Sequence, residues 1–130
     1  KENVEGFGLA VRNPGKRIAA SEANFSKLGC KDLLTRLVAS GMALFLTPGT
    51  VLQIPTAARK VFDVTGAGDT LMATLALALA SGVALPDACI LANYAAGVVV
   101  ADVGASTVGS DSLQSIVLAA HDPGLSRWTA

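Results

Sequence analysis

The hydrophobic pattern is clearest in the second half of the chain. Residues 71–80 and 88–101 are almost continuously apolar and contain no charged side chain. Each run is too short to cross a membrane and is bounded by Ser, Gly, Pro or Asp, so both are typical of buried helices. We predict a first helix that begins at Asp69 or its neighbour, ends near Ser81 and is buried all round. Its large apolar side chains are Leu71, Met72, Leu75, Leu77 and Leu79.

Two more helices follow the first. The second is predicted to begin at Pro86 and Asp87, because proline is well tolerated in a first helical turn, and to extend to about Ala101. The third is predicted from Ser110, as its N-cap, to His121.

Short strands are predicted before the first helix. Residues 43–46 and 50–54 have the length and composition of strands, and Thr47-Pro48-Gly49 between them predicts a hairpin. A β-like step at Val61-Phe62 then leads to a glycine-rich segment. For Leu33–Val38 the periodicity leaves strand and helix open. Asn13-Pro14-Gly15 is typical of a loop, and residues 123–130 form a loose tail.

Composition narrows the class of protein. The 130 residues are 52% hydrophobic, with ten basic and ten acidic side chains, which fits one globular domain or part of a larger one. Neutral net charge without a Lys/Arg run argues against nucleic-acid binding. Cys30 and Cys89 lack the spacing of a metal site or a disulfide framework. No apolar leader opens the chain, so we expect a cytoplasmic protein without membrane partners, and the initial Lys hints at missing upstream sequence.

The glycine-rich segment Asp63–Thr70 carries the chemistry. Bare backbone amides of Gly66, Ala67 and Gly68 at a helix start suit a bound phosphate, and the Asp69 carboxylate is close enough to deprotonate an attacking hydroxyl. A dinucleotide fingerprint would need a third glycine at position 71, and a phosphate-binding Walker A loop would need Gly-Lys-Ser/Thr. The simpler alternative is a strand–turn–helix joint in which the glycines only allow positive φ. The complete octapeptide favours the anion site.

This octapeptide resembles the signature of the ribokinase-like (PfkB) sugar kinases, Asp-Thr/Val-x-Gly-Ala-Gly-Asp-Thr/Ser. The likeness continues through residues 71–82, 91–100 and 104–108, and the good match covers about residues 42–118. Residues 51–69 resemble in particular the bacterial heptose-7-phosphate kinases of lipopolysaccharide synthesis. The resemblance implies an α/β fold, as part of a three-layer α/β/α ribokinase-like domain.

The resemblance also implies roles for the residues of the motif. Asp69 would be the general base that deprotonates the sugar hydroxyl attacking the γ-phosphate of ATP. Gly66, Ala67 and Gly68 would form the anion hole, and Asn93 would line the adenine pocket. For Asn93 the alternative is a helix asparagine that hydrogen-bonds a neighbouring loop.

The resemblance also implies a nucleotide-binding loop and cation sites. Ser40 and Gly41 stand where the heptose kinases have a polar Thr-Arg-Ser-Glu-x-Gly-Met loop, although Leu37-Val38 replaces its polar pair here. Mg²⁺ would accompany ATP, and K⁺ is a further cation of the family. Val108 stands where the family often has a serine ligand for K⁺. The positions that match the other ligands are Asp63, Thr65, Val99, Asp102 and Gly104.

The predicted organisation is therefore a partial kinase domain over residues 1–130, with residues 1–41 divergent, residues 42–120 holding the nucleotide and catalytic portion, and a tail from 121. Its partners would be ATP and a phosphorylated sugar, with either homo-oligomerisation or association with the missing kinase half. Because the acceptor-binding half is absent, we expect little activity from the chain alone. The alternatives are a non-catalytic remnant and a kinase for another sugar, such as ribose or fructose phosphate.

Overall fold

A computed structural model describes residues 25, 27, 29–37, 40–47, 50–61, 63–104, 106–120 and 123–128. The described strands are β1 (Leu33–Arg36), β2 (Met42–Thr47), β3 (Thr50–Ile54) and β4 (Ser126–Trp128). The described helices are α1 (Ala67–Ala80), α2 (Leu85–Val99) and α3 (Ser110–Ala119). The chain divides into two compact units, residues 1–53 with 125–130 and residues 54–124. Each unit is described by itself.

The strands form one sheet in the order β1-β2-β3-β4. Strands β1 and β2 are antiparallel, with Leu33 opposite Phe45, and β3 and β4 are antiparallel, with Val51 opposite Trp128. The expected pairing of the two strands at 42–54 is confirmed, and the segment left open between strand and helix contains β1. The prediction of a loose tail was wrong for residues 126–128, because backbone pairing with β3 orders a segment that has no apolar periodicity of its own.

The centre of the sheet is the most buried part of the first unit. Four consecutive residues of β2, Met42 to Phe45, are at most 2% exposed. Because successive side chains of a strand point to opposite faces, both faces of β2 are shielded from solvent. One of these faces belongs to an apolar cluster made of Leu37, Ala43, Phe45 and Val51, with Phe25 and Leu33 packed against it. Burial on both faces fits the layered α/β architecture expected from the sequence.

Helix α1 begins and ends at glycines in the left-handed region. Its N-cap is Gly66, with φ of 77° and no side-chain cap, so the predicted start at Asp69 was two residues late. At the other end, Gly82 has φ of 84°. There the Gly82 N–H bonds the Leu79 carbonyl and the Val83 N–H bonds the Ala78 carbonyl, each at 3.0 Å. This paired arrangement is a Schellman motif, which stops the helix because glycine adopts positive φ without steric cost.

Helices α1 and α2 pack on each other, and α3 packs on α2. The side chains that α1 buries are Ala67, Leu71, Leu75 and Ala78. Helix α2 buries mostly small residues, Ala88, Cys89, Ala92, Asn93, Ala95 and Val99. Helix α2 also lies close to the segment before α1. At Gly97 an added Cβ atom would stand 3.2 Å from the backbone of Ala57 and Ala58. The alanines and this glycine let neighbouring backbone come close.

The prediction that α1 is buried all round was wrong. Met72 is 60% exposed, Leu77 70% and Leu79 41%. The inner arc of the helix is occupied by its contact with α2, whereas in the described part of the chain nothing covers the opposite arc.

Several element boundaries also differ from expectation. Helix α2 ends at Val99 rather than near Ala101. Helix α3 is capped by Gly109 instead of Ser110 and ends at Ala119, so its predicted extension to His121 was too long. Val61 lies outside the strands and is 61% exposed, because the chain there runs as a surface connection rather than as the predicted β-like step. Phe62, His121 and Asn13-Pro14-Gly15 lie outside the described residues.

Both cysteines are free thiols, as expected. Burial in α2 raises the pKa of the Cys89 thiol to about 11, so this thiol stays protonated at neutral pH. Within the described ranges, every helix is either too short or insufficiently apolar to span a bilayer.

Candidate nucleotide-binding and catalytic site

The turn into α1 presents backbone N–H groups that the protein leaves available. The Ala67 N–H makes a long 3.3 Å bond to the Val64 carbonyl, and the Thr70 N–H bonds the Gly66 carbonyl at 2.9 Å. Within the described residues, the N–H groups of Gly66, Gly68 and Asp69 have no protein acceptor. Unpaired donors at a helix start, combined with the helix dipole, are a site for an anion such as a phosphoryl group.

The Asp69 side chain stands at this turn and faces solvent. It is the third residue of α1 and is exposed. As far as the structure describes the chain, its carboxylate has neither a hydrogen-bond nor an ion-pair partner. An unpartnered carboxylate one turn from free amides can reach a hydroxyl placed next to a phosphoryl group bound there.

The side chain of Asp63 holds the turn in shape through hydrogen bonds. Its Oδ1 accepts hydrogen bonds from the Thr65 N–H at 2.9 Å and from the Thr65 hydroxyl at 2.7 Å. These two bonds, with smaller contributions from the N–H groups of Gly104 and Val64, lower the pKa of the Asp63 carboxyl below its usual value. Hydrogen bonds to the charged form favour that form, so Asp63 is a carboxylate that holds the loop in shape.

The backbone of Asp63 links the turn to the segment that follows α2. The Asp63 N–H bonds the Val100 carbonyl at 3.4 Å, and the Asp102 N–H bonds the Val99 carbonyl at 3.2 Å. Asp102 Oδ2 in turn accepts from the Ser106 hydroxyl at 2.7 Å. Of the five positions that the family resemblance suggests for a monovalent cation, Asp63, Thr65 and Gly104 meet at the Asp63 carboxylate, and Val99 and Asp102 are bonded to each other. Among the described residues, no group of three His, Cys, Asp or Glu side chains could hold a metal ion.

Asn93 is buried in α2 and bonds the neighbouring loop. Its Nδ2 donates to the Pro55 carbonyl at 2.7 Å, which is the alternative foreseen for it in the sequence. The residue also lines an open cavity of about 740 Å³, within the size range of ligand sites. The remaining lining residues include Thr56, Arg59, Ile90, Tyr94, Ala120 and Gly124.

The sequence analysis missed most of this cavity. Ile90, Asn93 and Tyr94 share one face of α2 through spacings of three and four residues, which is a signal available from sequence alone. The other wall, residues 55–59, has no periodic pattern. Its position depends on Asn93 and on the close approach at Gly97, which only the structure gives.

Ser40 and Gly41 belong to the other compact unit, in the turn between β1 and β2. The Gly41 carbonyl accepts the Leu37 N–H at 2.7 Å, and Gly41 itself has φ of 88°. The glycine therefore serves a tight turn, and the proposed nucleotide contact of this turn stays a prediction.

We expect Asn93→Asp to destabilise the protein by about 1–3 kcal/mol at pH 7, because it replaces a donor with a charged acceptor opposite the Pro55 carbonyl. The measurement is the free energy of unfolding from urea titration. Gln114→Glu, the same chemical change on the exposed side of α3, should stay within about 0.5 kcal/mol of the parent. Equal effects of the two substitutions would contradict a structural role for the Asn93 bond.

Comparison with known proteins shows the family and the fold of the chain. The pfkB family carbohydrate kinase model matches residues 6–112. The chain is 48% identical over 108 residues to the bifunctional protein HldE of Geobacter metallireducens, covering 83% of this chain and 22% of that protein. It is 44% identical over 121 residues to HldE of Paramagnetospirillum magneticum, covering 93% and 24%. The chain thus spans about a quarter of the length of these curated relatives.

Solved structures show the same fold. Arabidopsis thaliana ribokinase, complexed with ribose and ATP, aligns with a TM-score of 0.70 and 32% identity over 78% of this chain and 34% of that one. Escherichia coli phosphofructokinase-2, in complex with potassium, aligns with a TM-score of 0.69 at 19% identity over 82% and 34%, a likeness of fold alone. With a family match over residues 6–112, a ribokinase-like fold and the glycine turn at the start of α1, the chain belongs to the pfkB family of carbohydrate kinases.

Proposed function

We propose that this chain is the nucleotide-binding and catalytic portion of an ATP-dependent sugar kinase whose acceptor is heptose 7-phosphate. The observation that carries the proposal is the turn at Gly66–Asp69, where free backbone N–H groups stand beside an exposed, unpartnered carboxylate. Family membership supplies the reaction class. The sequence likeness of residues 51–69 to heptose-7-phosphate kinases supplies the acceptor.

Each part of the turn has a role in phosphoryl transfer. The amides of Gly66 and Gly68 stabilise the negative charge that builds up on the transferred group, because they are already oriented and need not reorganise. Asp69 takes the proton from the acceptor hydroxyl as its oxygen attacks the γ-phosphorus. The adenine end of ATP occupies the cavity beside Asn93, with α2 as one wall.

Mg²⁺ and K⁺, the two cations of the family, would be held in different ways. Mg²⁺ would arrive with the phosphates of ATP, because within the described residues no group of three His, Cys, Asp or Glu side chains could hold a metal ion. For K⁺, the chain offers mainly oxygen atoms as ligands. They belong to Asp63, Thr65 and Gly104, to the carbonyl of Val99 and to Asp102. Bound there, K⁺ would add positive charge next to the anion turn.

A second reading is a non-catalytic remnant that retains nucleotide affinity, or merely folds, without turnover. A kinase for another sugar is a third reading, because in this proposal Asp69 would meet only the reacting hydroxyl of the acceptor, and any sugar presents such a group.

The isolated chain should bind ATP with Mg²⁺ yet transfer no measurable phosphate to heptose 7-phosphate. Binding needs only the amide turn and the cavity, whereas transfer also needs an acceptor held in position, which contributes much of the rate. Isothermal titration calorimetry measures the first and a coupled ADP assay the second. No heat of binding would favour a remnant that merely folds, and turnover by the isolated chain would refute the expected inactivity.

A further inference from the structure

A second open cavity, of about 550 Å³, adjoins the cavity beside Asn93. Its helix wall continues along the same face of α2, from Tyr94 through Gly97 to Asp102 just beyond the helix end. Arg59 from the loop wall and Tyr94 from the helix wall line both cavities, so the two cavities meet at these side chains. Together the cavities form one groove along α2, here called the α2 groove.

Both walls of the α2 groove lead toward the anion turn. The helix wall reaches Asp102, two residues beyond Val100, whose carbonyl accepts the Asp63 N–H at 3.4 Å. The loop wall ends at Lys60, three residues before Asp63. In the function proposed above, the base lies beside Asn93 and the terminal phosphate lies at the turn. The ribose and the inner phosphates of the nucleotide then lie along the second cavity.

The positive charge of the unit formed by residues 54–124 is concentrated at this groove. Lys and Arg occur in that unit only as Arg59 and Lys60, whereas aspartates occur at positions 63, 69, 87, 102, 111 and 122. Arg59 and Lys60 both line the second cavity, and within the described residues neither side chain has an ion-pair or hydrogen-bond partner. Asp102 also lines this cavity, but its Oδ2 accepts the Ser106 hydroxyl at 2.7 Å. Because the aspartates repel a ligand with several negative charges, positive charge at the groove is needed to hold it.

We propose that Arg59 binds the inner phosphates of the nucleotide in the α2 groove, an assignment that rests on the nucleotide site proposed above. A guanidinium presents a planar fork of N–H donors that matches two phosphate oxygens, and it keeps its charge at neutral pH. Lys60 adds a second positive charge nearer to the anion turn. The backbone amides of the turn position the transferred group, whereas Arg59 supplies affinity for the rest of the phosphate chain.

The test compares ATP with adenosine as ligands of the 130-residue chain, by calorimetry for ATP with Mg²⁺ and by ligand-observed NMR for adenosine. Arg59→Gln should lower the ATP affinity about 5- to 20-fold and leave the adenosine affinity unchanged, because adenosine has no phosphate. Arg59→Lys should regain part of the ATP affinity, since it restores the charge but not the fork. Added NaCl should weaken ATP binding less steeply in Arg59→Gln than in the parent, because one screened charge pair is missing.

A second substitution separates a local contact from the net charge of the unit. Asp111 lies at the start of α3, about 12 Å along that helix from Ala119, which lines both cavities. The double variant Arg59→Gln/Asp111→Asn has the net charge of the parent chain. Its ATP affinity should stay as low as that of Arg59→Gln alone.

Three results would overturn the assignment of Arg59. The first is an ATP affinity that Arg59→Gln leaves unchanged in a parent chain that binds ATP, a result that spares the proposed nucleotide site. The second is an equal loss of ATP and adenosine affinity, which would mean a contact with the base or a change in folding. The third is recovery of the parent's ATP affinity in the double variant, because net charge would then explain the loss. A parent chain that binds no ATP would remove the proposed site together with this assignment.

Discussion

Asp69→Asn should lower the rate of phosphoryl transfer by about 10²–10⁴-fold, the range typical of losing a general base. The amide of asparagine keeps the size and the exposure of the side chain but cannot take the acceptor proton. ATP affinity should change little, because the anion contacts are made by backbone N–H groups of the turn. The rate is measured by single-turnover transfer from labelled ATP in a chimaera, made by replacing the matching segment of the Geobacter metallireducens relative with this chain. The affinity is measured by calorimetry on the isolated chain.

The matched control is Asp87→Asn. Asp87 is also an exposed carboxylate in the first turn of a helix, so the substitution has the same effect on the helix dipole, about 0.3–1 kcal/mol. Both variants should therefore lose similar stability, whereas only Asp69→Asn should lose activity. Transfer that survives Asp69→Asn within a factor of about ten would mean that another group takes the proton.

Gly66→Ala should weaken ATP binding about 5- to 30-fold. Gly66 has φ of 77°, a conformation that costs a residue with a side chain about 1–2 kcal/mol. No atom lies within 4 Å of the added Cβ, so the penalty comes from the backbone and not from a clash. The turn can relax to avoid the strain, but binding then requires the original conformation, and the energy converts to the stated loss of affinity. Calorimetric titration with ATP and Mg²⁺ measures it.

Gly82→Ala gives the comparison at the opposite end of the same helix. Gly82 has φ of 84° and also has open space around it, so an added Cβ meets the same kind of backbone penalty there without touching the anion turn. Its ATP affinity should equal that of the parent chain. If both glycine variants bind ATP as the parent does, the Gly66 turn does not hold the phosphates.

The sequence was most informative where the chemistry depends on consecutive residues. The motif from Asp63 to Thr70 predicted a turn with free amides before a helix, because its glycines and the Asp69 carboxylate are adjacent in the chain. It could not indicate that Asp63 ties this turn to Val100 and Gly104, since those contacts bridge a whole helical hairpin. The strand β4 was missed for a similar reason, as its order comes from pairing with β3.

Burial was predicted less well than secondary structure. Leu71, Leu75 and Leu77 are equivalent by composition, and the apolar run around them has no polar face from which to orient the helix. The structure distinguishes them, since Leu71 and Leu75 pack inward while Leu77 is exposed. Composition alone therefore cannot tell which arc of such a helix is covered.

Helix α2 connects the two ends of the proposed ligand site. Asn93 at its middle borders the cavity, and the carbonyl of Val100, just beyond its end, is bonded to the Asp63 backbone. From Asn93 to Val99 the helix rises roughly 9 Å at 1.5 Å per residue, and a helix hardly stretches. The proposed site therefore selects ligands by length. A nucleoside whose phosphate chain is too short to bridge that span would engage only one end of the site at a time.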